Sequence, residues 1–151
     1  MADDVTIKGL DGVLDAMSKL TDKVQRKAVT SALRAGAKPV QAAARRNAQA
    51  IDDPATAEKI YRQITTRALG KKLVRKLGAD AGVGVGVLNS HNDHKRDQKK
   101  DGVDAYHYAW FIEEGTAHQK AQPFMRPAGE SESGAALDAI AASLKQSIFG
   151  E

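Results

Sequence analysis

Four side chains that could bind a metal ion lie within one short polar segment, residues 89–102. They are His91, Asp93, His94 and Asp97. Such a group suits a metal site or a metal-dependent nuclease of the HNH type. Metal ligands are normally fixed by rigid elements and by the residues behind them, whereas this segment has no apolar residue that could pack. We therefore expect a long polar loop near residues 89–104 that orders on assembly, with no metal and no cofactor.

A second chemical candidate is the glycine-rich stretch Ala81–Leu88, which reads AGVGVGVL. A phosphate-binding G-x-G-x-x-G loop would need a glycine where Val87 stands, and a helix after it. The alternation instead has the period of a strand, with the three valines on one face. We predict a strand whose glycines let another part of the structure pack closely against it.

No other residues form a recognisable catalytic group. The chain has no Cys, which excludes a thiol nucleophile, a disulfide framework and a thiolate zinc site. There is no G-x-S-x-G elbow. Glu113 and Glu114 are adjacent, so they would point to opposite sides of an extended chain. We predict that the protein is not an enzyme, and a nuclease that uses His91 and His94 is the least favoured hypothesis.

Basic residues raise the alternative of a small nucleic-acid-binding protein. Residues 1–100 hold 20 Lys and Arg against 11 Asp and Glu, whereas residues 101–151 hold 3 against 8. Basic clusters bind phosphate without reading the base sequence. Opposite charge in the two halves equally suits head-to-tail packing of identical subunits. The predicted basic contact surface is Lys71, Lys72, Arg75 and Lys76.

Composition predicts one domain, residues 1–151, with a thin core. Of the 151 residues 26 are Ala, and Leu, Ile, Val and Phe together number 30. This share of large apolar residues is low for a chain that folds alone, so partners are expected to complete the protomer. No apolar run is long enough for a transmembrane helix, and the first ten residues lack the apolar region of a secretory signal. We expect a cytoplasmic location.

Apolar spacing predicts helices at both ends of the chain. Residues 10–20 and 137–148 repeat apolar side chains at i, i+3, i+4 and i+7, and Ser131 or Ser133 is the expected cap of the C-terminal helix. A long helix is predicted from about Asp22 to Ala50, with a kink or interruption at Pro39.

In the middle of the chain the residue types no longer favour a helix. The β-branched and aromatic residues of Tyr61–Leu69 favour a strand. The basic stretch Lys71–Lys76 is expected to extend that strand or to form a loop. Further on, the aromatic cluster Tyr106–Ile112 is either core or an interface anchor, and we predict that Tyr108 and Phe111 lie in the core.

The segment 106–128, YHYAWFIEEGTAHQKAQPFMRPA, resembles a block found in head–tail joining or tail-completion (minor tail, neck) proteins of long-tailed double-stranded-DNA phages and prophages. In that block an E-x-G-T turn is followed by a variable loop and by PF-[ML]-RPA. The helix beginning at Gly9-Leu10, the K-P-V of residues 38–40 and the strand at 83–87 are also similar. The stretch 51–57 departs from the family pattern.

The resemblance implies an α+β protomer, in which a small antiparallel sheet packs against the long N-terminal helix and the C-terminal helix. It further implies a virion structural protein that forms a ring of identical subunits at the neck or tail end. The expected partners are other neck or tail proteins, with incidental DNA proximity and no membrane. The expected locations are the host cytoplasm before assembly and the virion afterwards.

The residues that match the block are interpreted structurally. We expect Gly115 to supply a turn, Thr116 to bond backbone groups, and Phe124 to anchor the following helix. Pro127 fits a first helical turn, and Arg126 could pair with Glu113 within a subunit or between subunits. The full set of motif and assembly residues is Tyr108, Phe111, Glu113, Gly115, Thr116, Pro123, Phe124, Arg126 and Pro127.

Overall fold

The computed structural model describes residues 10–51, 59–87 and 105–150, and within these ranges the fold is α+β, as predicted. The elements in chain order are α1 (Leu10–Ser18), α2 (Asp22–Ile51), α3 (Ile60–Gln63), β1 (Ile64–Ala68), α4 (Lys71–Lys76), β2 (Val83–Val87), α5 (Ala105–Glu114), α6 (Met125–Ser131) and α7 (Ser133–Phe149). The loop predicted at 89–104 falls outside the described residues. None of the helices in the described ranges combines the length and apolar character that a bilayer crossing needs.

Helix α2 is the longest element, and its 30 residues extend about 45 Å at 1.5 Å per residue. It continues through Pro39 to Ile51, so the interruption predicted there is not found. Gly36 and Ala37 before Pro39, and Ala43 and Ala44 after it, are buried. Their packing offsets the one helical hydrogen bond that a proline cannot donate. The buried positions are small: Ala28, Ala32, Gly36, Ala37, Ala43, Ala44 and Ala48.

The small residues of α2 allow α7 to approach closely. A Cβ built on Gly36 would lie 2.5 Å from Cγ1 of Ile140 and 2.9 Å from the carbonyl oxygen of Ala136. No side chain would fit at that distance, so Gly36 fixes the spacing between the two helices. At one end of the contact, Arg46 pairs with Glu132 at 3.3 Å.

The C-terminal helix exists as predicted, but the cap predicted for it was wrong. Ser131 ends α6 and Ser133 begins α7, while Glu132 stands between them at the N-cap position without a side-chain cap bond. The two serine hydroxyls instead donate to carbonyls three residues earlier, those of Ala128 and Glu130. The leucines and isoleucines of α7 are only half-buried, and none of its residues is fully buried.

Strands β1 and β2 form a two-stranded antiparallel sheet in which Ile64 faces Val87 and Ala68 faces Val83. The valines of β2 therefore share a face with the buried Ile64, and α2 packs on the sheet. Residues 61–63 of the strand predicted over 61–69 belong to the short helix α3 (Ile60–Gln63) instead.

The core lies where the C-terminal half of α2 meets α3, α5, α6 and the sheet. Its large fully buried members are Ile60, Ile64 and Phe124. The remainder of the cluster is mostly small: Ala43, Ala44, Ala48, Ala109, Ile112 and Ala128. The described part of the protomer thus has few large buried side chains, in line with the thin core that composition predicts.

Candidate assembly site

Glu113 connects the two halves of the motif, because its carboxylate caps helix α6 from the end of helix α5. Its Oε2 accepts hydrogen bonds from the backbone N–H of Phe124 at 2.8 Å and of Met125 at 3.0 Å. Its Oε1 accepts one from the N–H of Arg126 at 3.0 Å. The first N–H groups of a helix have no partner within the helix and carry a partial positive charge, so one carboxylate satisfies and stabilises three of these backbone groups at once.

Within the chain, the side chain of Arg126 does not pair with Glu113, and a pair between subunits stays a prediction. The guanidinium of Arg126 instead reaches Glu114, with Nη2 to Oε1 at 3.4 Å. The Glu113 carboxylate is fully engaged by backbone donors and faces the helix start, which leaves the exposed Glu114 as the acceptor. Both side chains of this ion pair are largely exposed, so it contributes little to stability.

The turn at Gly115 requires a glycine for two independent reasons. Its φ is +78°, in the left-handed region. A Cβ at this position would also lie 2.8 Å from the backbone nitrogen of Ala121 and 3.0 Å from the carbonyl oxygen of Gln119. The sequence expectation for Gly115 therefore agrees with the geometry.

Thr116 closes the loop that follows this turn. Its hydroxyl oxygen accepts hydrogen bonds from the N–H of His118 and of Gln119. Its own N–H donates to the carbonyl oxygen of Gln119 at 2.8 Å. The N–H of Gln122 returns to the carbonyl oxygen of Ile112 at 2.8 Å, so the loop is tied to α5 at its far end as well.

Phe124 holds the motif in the core, where it is 1% exposed. Its carbonyl oxygen accepts a hydrogen bond from Nδ2 of Asn47 on α2 at 3.1 Å. Pro123 precedes it on the surface, and Pro127 is the third residue of α6. A proline is tolerated at that position, because the N–H it lacks would have had no helical partner.

The aromatic residues of α5 divide between two faces of the helix. Tyr108 is half-buried and packs against the core. Phe111, predicted in the core, is 44% exposed, and Trp110 is 58% exposed. The prediction for Phe111 was wrong because the segment is a helix whose buried positions, Ala109 and Ile112, are three residues apart and leave Phe111 on the outer face.

The basic stretch Lys71–Lys76 is helix α4, rather than the strand extension or loop that we expected. Gly70 stands at its N-cap. The last turn is closed by the N–H of Leu77, which donates to the carbonyl oxygens of Leu73 and Val74, and by the N–H of Gly78, which donates to that of Arg75. Only Val74 is buried. The four cations of the predicted contact surface are all exposed on this helix: Lys71, Lys72, Arg75 and Lys76.

Gly82, just before β2, and Gly84 within it allow a close approach of the Leu69 side chain, as predicted for this stretch. A Cβ on Gly82 would lie 2.8 Å from the side chain of Leu69, and one on Gly84 would lie 3.0 Å from it. Beside Leu69 a shallow groove of about 200 Å³ remains, lined by Thr65, Arg67, Leu69, Gly84, Val85, Gly86 and Val87. It is one more surface on which another chain could lie.

Three polar side chains of α2 hold the start of β1 and the residue before α6 in place. The sequence did not indicate these roles. Arg45 donates to the carbonyl oxygen of Ile64 at 2.8 Å through Nη2, and Gln41 donates to the same oxygen at 3.0 Å. Asn47 holds the carbonyl of Phe124. These bonds join residues 19 to 77 positions apart, so no local pattern could have indicated them.

Within residues 10–51, 59–87 and 105–150, no three His, Asp or Glu side chains gather closely enough to hold a metal ion. His91, Asp93, His94 and Asp97 are outside these ranges. Taken together, the described residues form a small, mostly helical structure whose motif builds backbone structure and whose surface exposes several large apolar side chains.

Residues 11–115 match the family described as "Bacteriophage HK97-gp10, putative tail-component". The match covers more than half of the chain, and the protein belongs to this family of structural phage tail components. The membership agrees with the resemblance found in the sequence, although the matched range ends at Gly115, before the PF-x-RPA half of the motif. No curated protein and no solved structure was found to match the chain.

Proposed function

We propose that this chain acts in head–tail joining or tail completion, without catalysis, as one subunit in a ring of identical subunits at the neck or tail end. The proposal goes beyond the family description, which specifies a tail component and no position within the tail. In this role the chain works with other neck or tail proteins, first in the host cytoplasm and then in the virion.

The observation that carries the proposal is the pair of exposed aromatic residues on α5. Trp110 is 58% exposed and Phe111 is 44% exposed, in a chain with a single Trp and three Phe. Their positions are fixed, because Ala109 and Ile112 on the other side of the same helix are buried. A rigid, exposed Trp is a typical anchor of a protein–protein interface.

Further exposed apolar residues support the same role. Large apolar side chains remain exposed on four other helices of the protomer: Leu14, Val24, Leu73, Leu77 and Phe149, with Leu77 directly after α4. A chain with few large residues gains stability when such side chains are buried between subunits. A ring also satisfies both partners of each contact, because every subunit presents the same two surfaces.

Native mass spectrometry over a range of protein concentrations tests ring formation. The expected result is a discrete oligomer that grows at the expense of the monomer and does not depend on DNA. Replacement of Trp110 by Ser should remove the oligomer and leave the melting temperature of the dilute monomer unchanged. Arg34→Ser, at an exposed polar residue on α2, is the control and should retain the oligomer. A monomer at every concentration contradicts the ring.

The position in the virion needs a test in a phage that encodes this chain. If the chain joins heads to tails, its loss should leave filled heads and free tails side by side in electron micrographs. Complete virions in its absence would contradict a role in joining or completion.

Helix α4 favours a second candidate, a basic nucleic-acid-binding surface, because its four cations are exposed on a single helix. This candidate requires that the isolated chain bind DNA at physiological salt. The affinity should then fall steeply as salt is raised, since bound phosphates release counterions. Absence of binding at 0.15 M salt, or binding that Lys72→Ala and Lys76→Ala leave unchanged, would exclude it.

A further inference from the structure

Two short helices of the protomer share an unusual arrangement, in which a single valine is buried and the neighbouring leucine is exposed. On α1, Val13 is 2% exposed and Leu14 is 54% exposed. On α4, Val74 is 7% exposed, while Leu73 is 46% and Leu77 is 63% exposed. Each valine attaches its helix to the protomer, and each leucine is left in water.

The charges beside these leucines are opposite in sign and equal in spacing. On α1, Asp11 and Asp15 are exposed and four residues apart. On α4, Lys72 and Lys76 are exposed and also four residues apart. Side chains at i and i+4 lie one above the other on a helix, roughly 5–6 Å apart, so two aspartates and two lysines with this spacing can face one another in two ion pairs.

We infer that α1 of one subunit docks on α4 of the next copy of this chain, with Leu14 against Leu73 and Leu77 and the aspartates facing the lysines. The inference rests on the proposed ring and names its subunit contact. The contact is heterologous, because it joins two different surfaces, and repetition around an axis closes a ring.

The same two helices do not cover each other within one subunit, since all three leucines are exposed in the protomer. DNA is a poorer occupant of α4 than a second copy. Phosphates would pair with Lys72 and Lys76, but they would leave Leu73 and Leu77 without an apolar partner. Helix α1 supplies both the carboxylates and the leucine.

Cysteine trapping tests the contact directly, because the chain has no cysteine of its own. One preparation carries Leu14→Cys and a second carries Leu77→Cys. When the two are mixed and oxidised, the mixed disulfide dimer should exceed either homodimer roughly tenfold, the ratio that about 1.4 kcal/mol of preference gives. The matched control pairs Leu14→Cys with Phe149→Cys, at a residue 53% exposed on α7, and should show no enrichment. A mixed dimer no more than about twice as abundant as either homodimer, the ratio that random pairing gives, would overturn the inference.

Charge reversal supplies a second test, in which a mixture of two variants should restore the assembly that each variant has lost. The variant Asp11→Lys/Asp15→Lys should not self-associate, nor should Lys72→Glu/Lys76→Glu. A mixture of the two should assemble again, because each contact then has opposite charges. Reversal of the exposed Lys120 and Lys145 to Glu is the control and should have no effect. Circular dichroism and melting of each variant verify that the monomer is folded.

The possible results distinguish a failure of the α1–α4 contact from a failure of the proposed ring. If the wild type assembles and both reversals assemble equally well, the ring stands and the α1–α4 contact is wrong. If the wild type never assembles and no mixed disulfide is enriched, both are wrong. If the α4 reversal abolishes DNA binding and leaves self-association intact, α4 belongs to a nucleic-acid surface and the inference is overturned.

Discussion

The motif region Glu113–Ala128 and helix α4 are both short segments with charged surfaces, yet their connections to the protomer differ greatly. The motif region is held by three bonds to one carboxylate, a closed turn and a buried Phe124. Val74 is the only buried residue of helix α4. The first segment is therefore tightly integrated into the fold, whereas the second has most of its side chains on the surface.

This difference explains why the most specific sequence motif consists of residues with structural roles. The positions Glu113, Gly115 and Phe124 each do something that another residue does poorly: cap a distant helix, adopt a positive φ, or fill the core. The cations of α4 satisfy no such structural requirement. The contrast predicts large losses of stability from changes in the motif and small ones from changes on the exposed surfaces.

The largest effect is expected for Phe124→Ala. Truncation of this fully buried ring should lower the free energy of unfolding by about 3–5 kcal/mol, measured by chemical denaturation. Phe111→Ala removes the same ring from an exposed position and should change stability by less than about 0.5 kcal/mol. Similar losses for the two variants would show that Phe111 is also in the core.

A somewhat smaller loss is expected for Gly115→Ala. The left-handed φ of +78° costs an alanine roughly 1–3 kcal/mol, and the added Cβ meets the backbone of Ala121. Gly129→Ala is the matched control, because nothing lies within 4 Å of its Cβ position inside α6. This change should raise stability by about 0.5–1 kcal/mol. A Gly115→Ala protein as stable as the wild type would refute the turn geometry.

The next largest loss of stability is expected when the helix-capping carboxylate is removed. Glu113→Ala leaves the N–H groups of Phe124, Met125 and Arg126 without their acceptor and should cost about 1–3 kcal/mol in thermal or chemical unfolding. Glu114→Ala removes the neighbouring carboxylate, which bonds the exposed Arg126 in the described part of the chain, and should cost less than about 0.5 kcal/mol. Equal effects would mean that the cap contributes no more than a surface charge.

The smallest effect on stability is expected for Arg126→Ala. Its ion pair with Glu114 is exposed and should contribute less than about 1 kcal/mol. We predict that the variant disturbs assembly more than folding, which native mass spectrometry and monomer melting measure side by side. A loss of monomer stability as large as that of Glu113→Ala, with assembly unchanged, would contradict this division.

Features that depend on residue type and on local backbone geometry could be predicted from the sequence. The turn at Gly115, the hydroxyl bonds of Thr116 and the burial of Phe124 follow from local chemistry within the motif. The long helix, the strand of alternating valines and the C-terminal helix follow from period and composition.

The features that were predicted wrongly depend on tertiary contacts or lie in short segments. Six residues of α4 are too few for a helical period to stand out, and its leucines and valine also suit a strand. Phe111 was misplaced because its face is set by the small residue Ala109, which packs inward. The capping role of Glu113 depends on residues 11 to 13 positions further on, which only the folded chain brings to it.

Hydrogen–deuterium exchange at low and high protein concentration tests the central claim most directly, because it reports the motif and the exposed helices in one experiment. The account predicts that amides of α1, α4 and α5 gain protection as the concentration is raised. Amides of the motif loop and of α6 should already be protected in the dilute monomer and should change little. Protection of α4 that does not depend on concentration, or a gain confined to the motif loop, would contradict it.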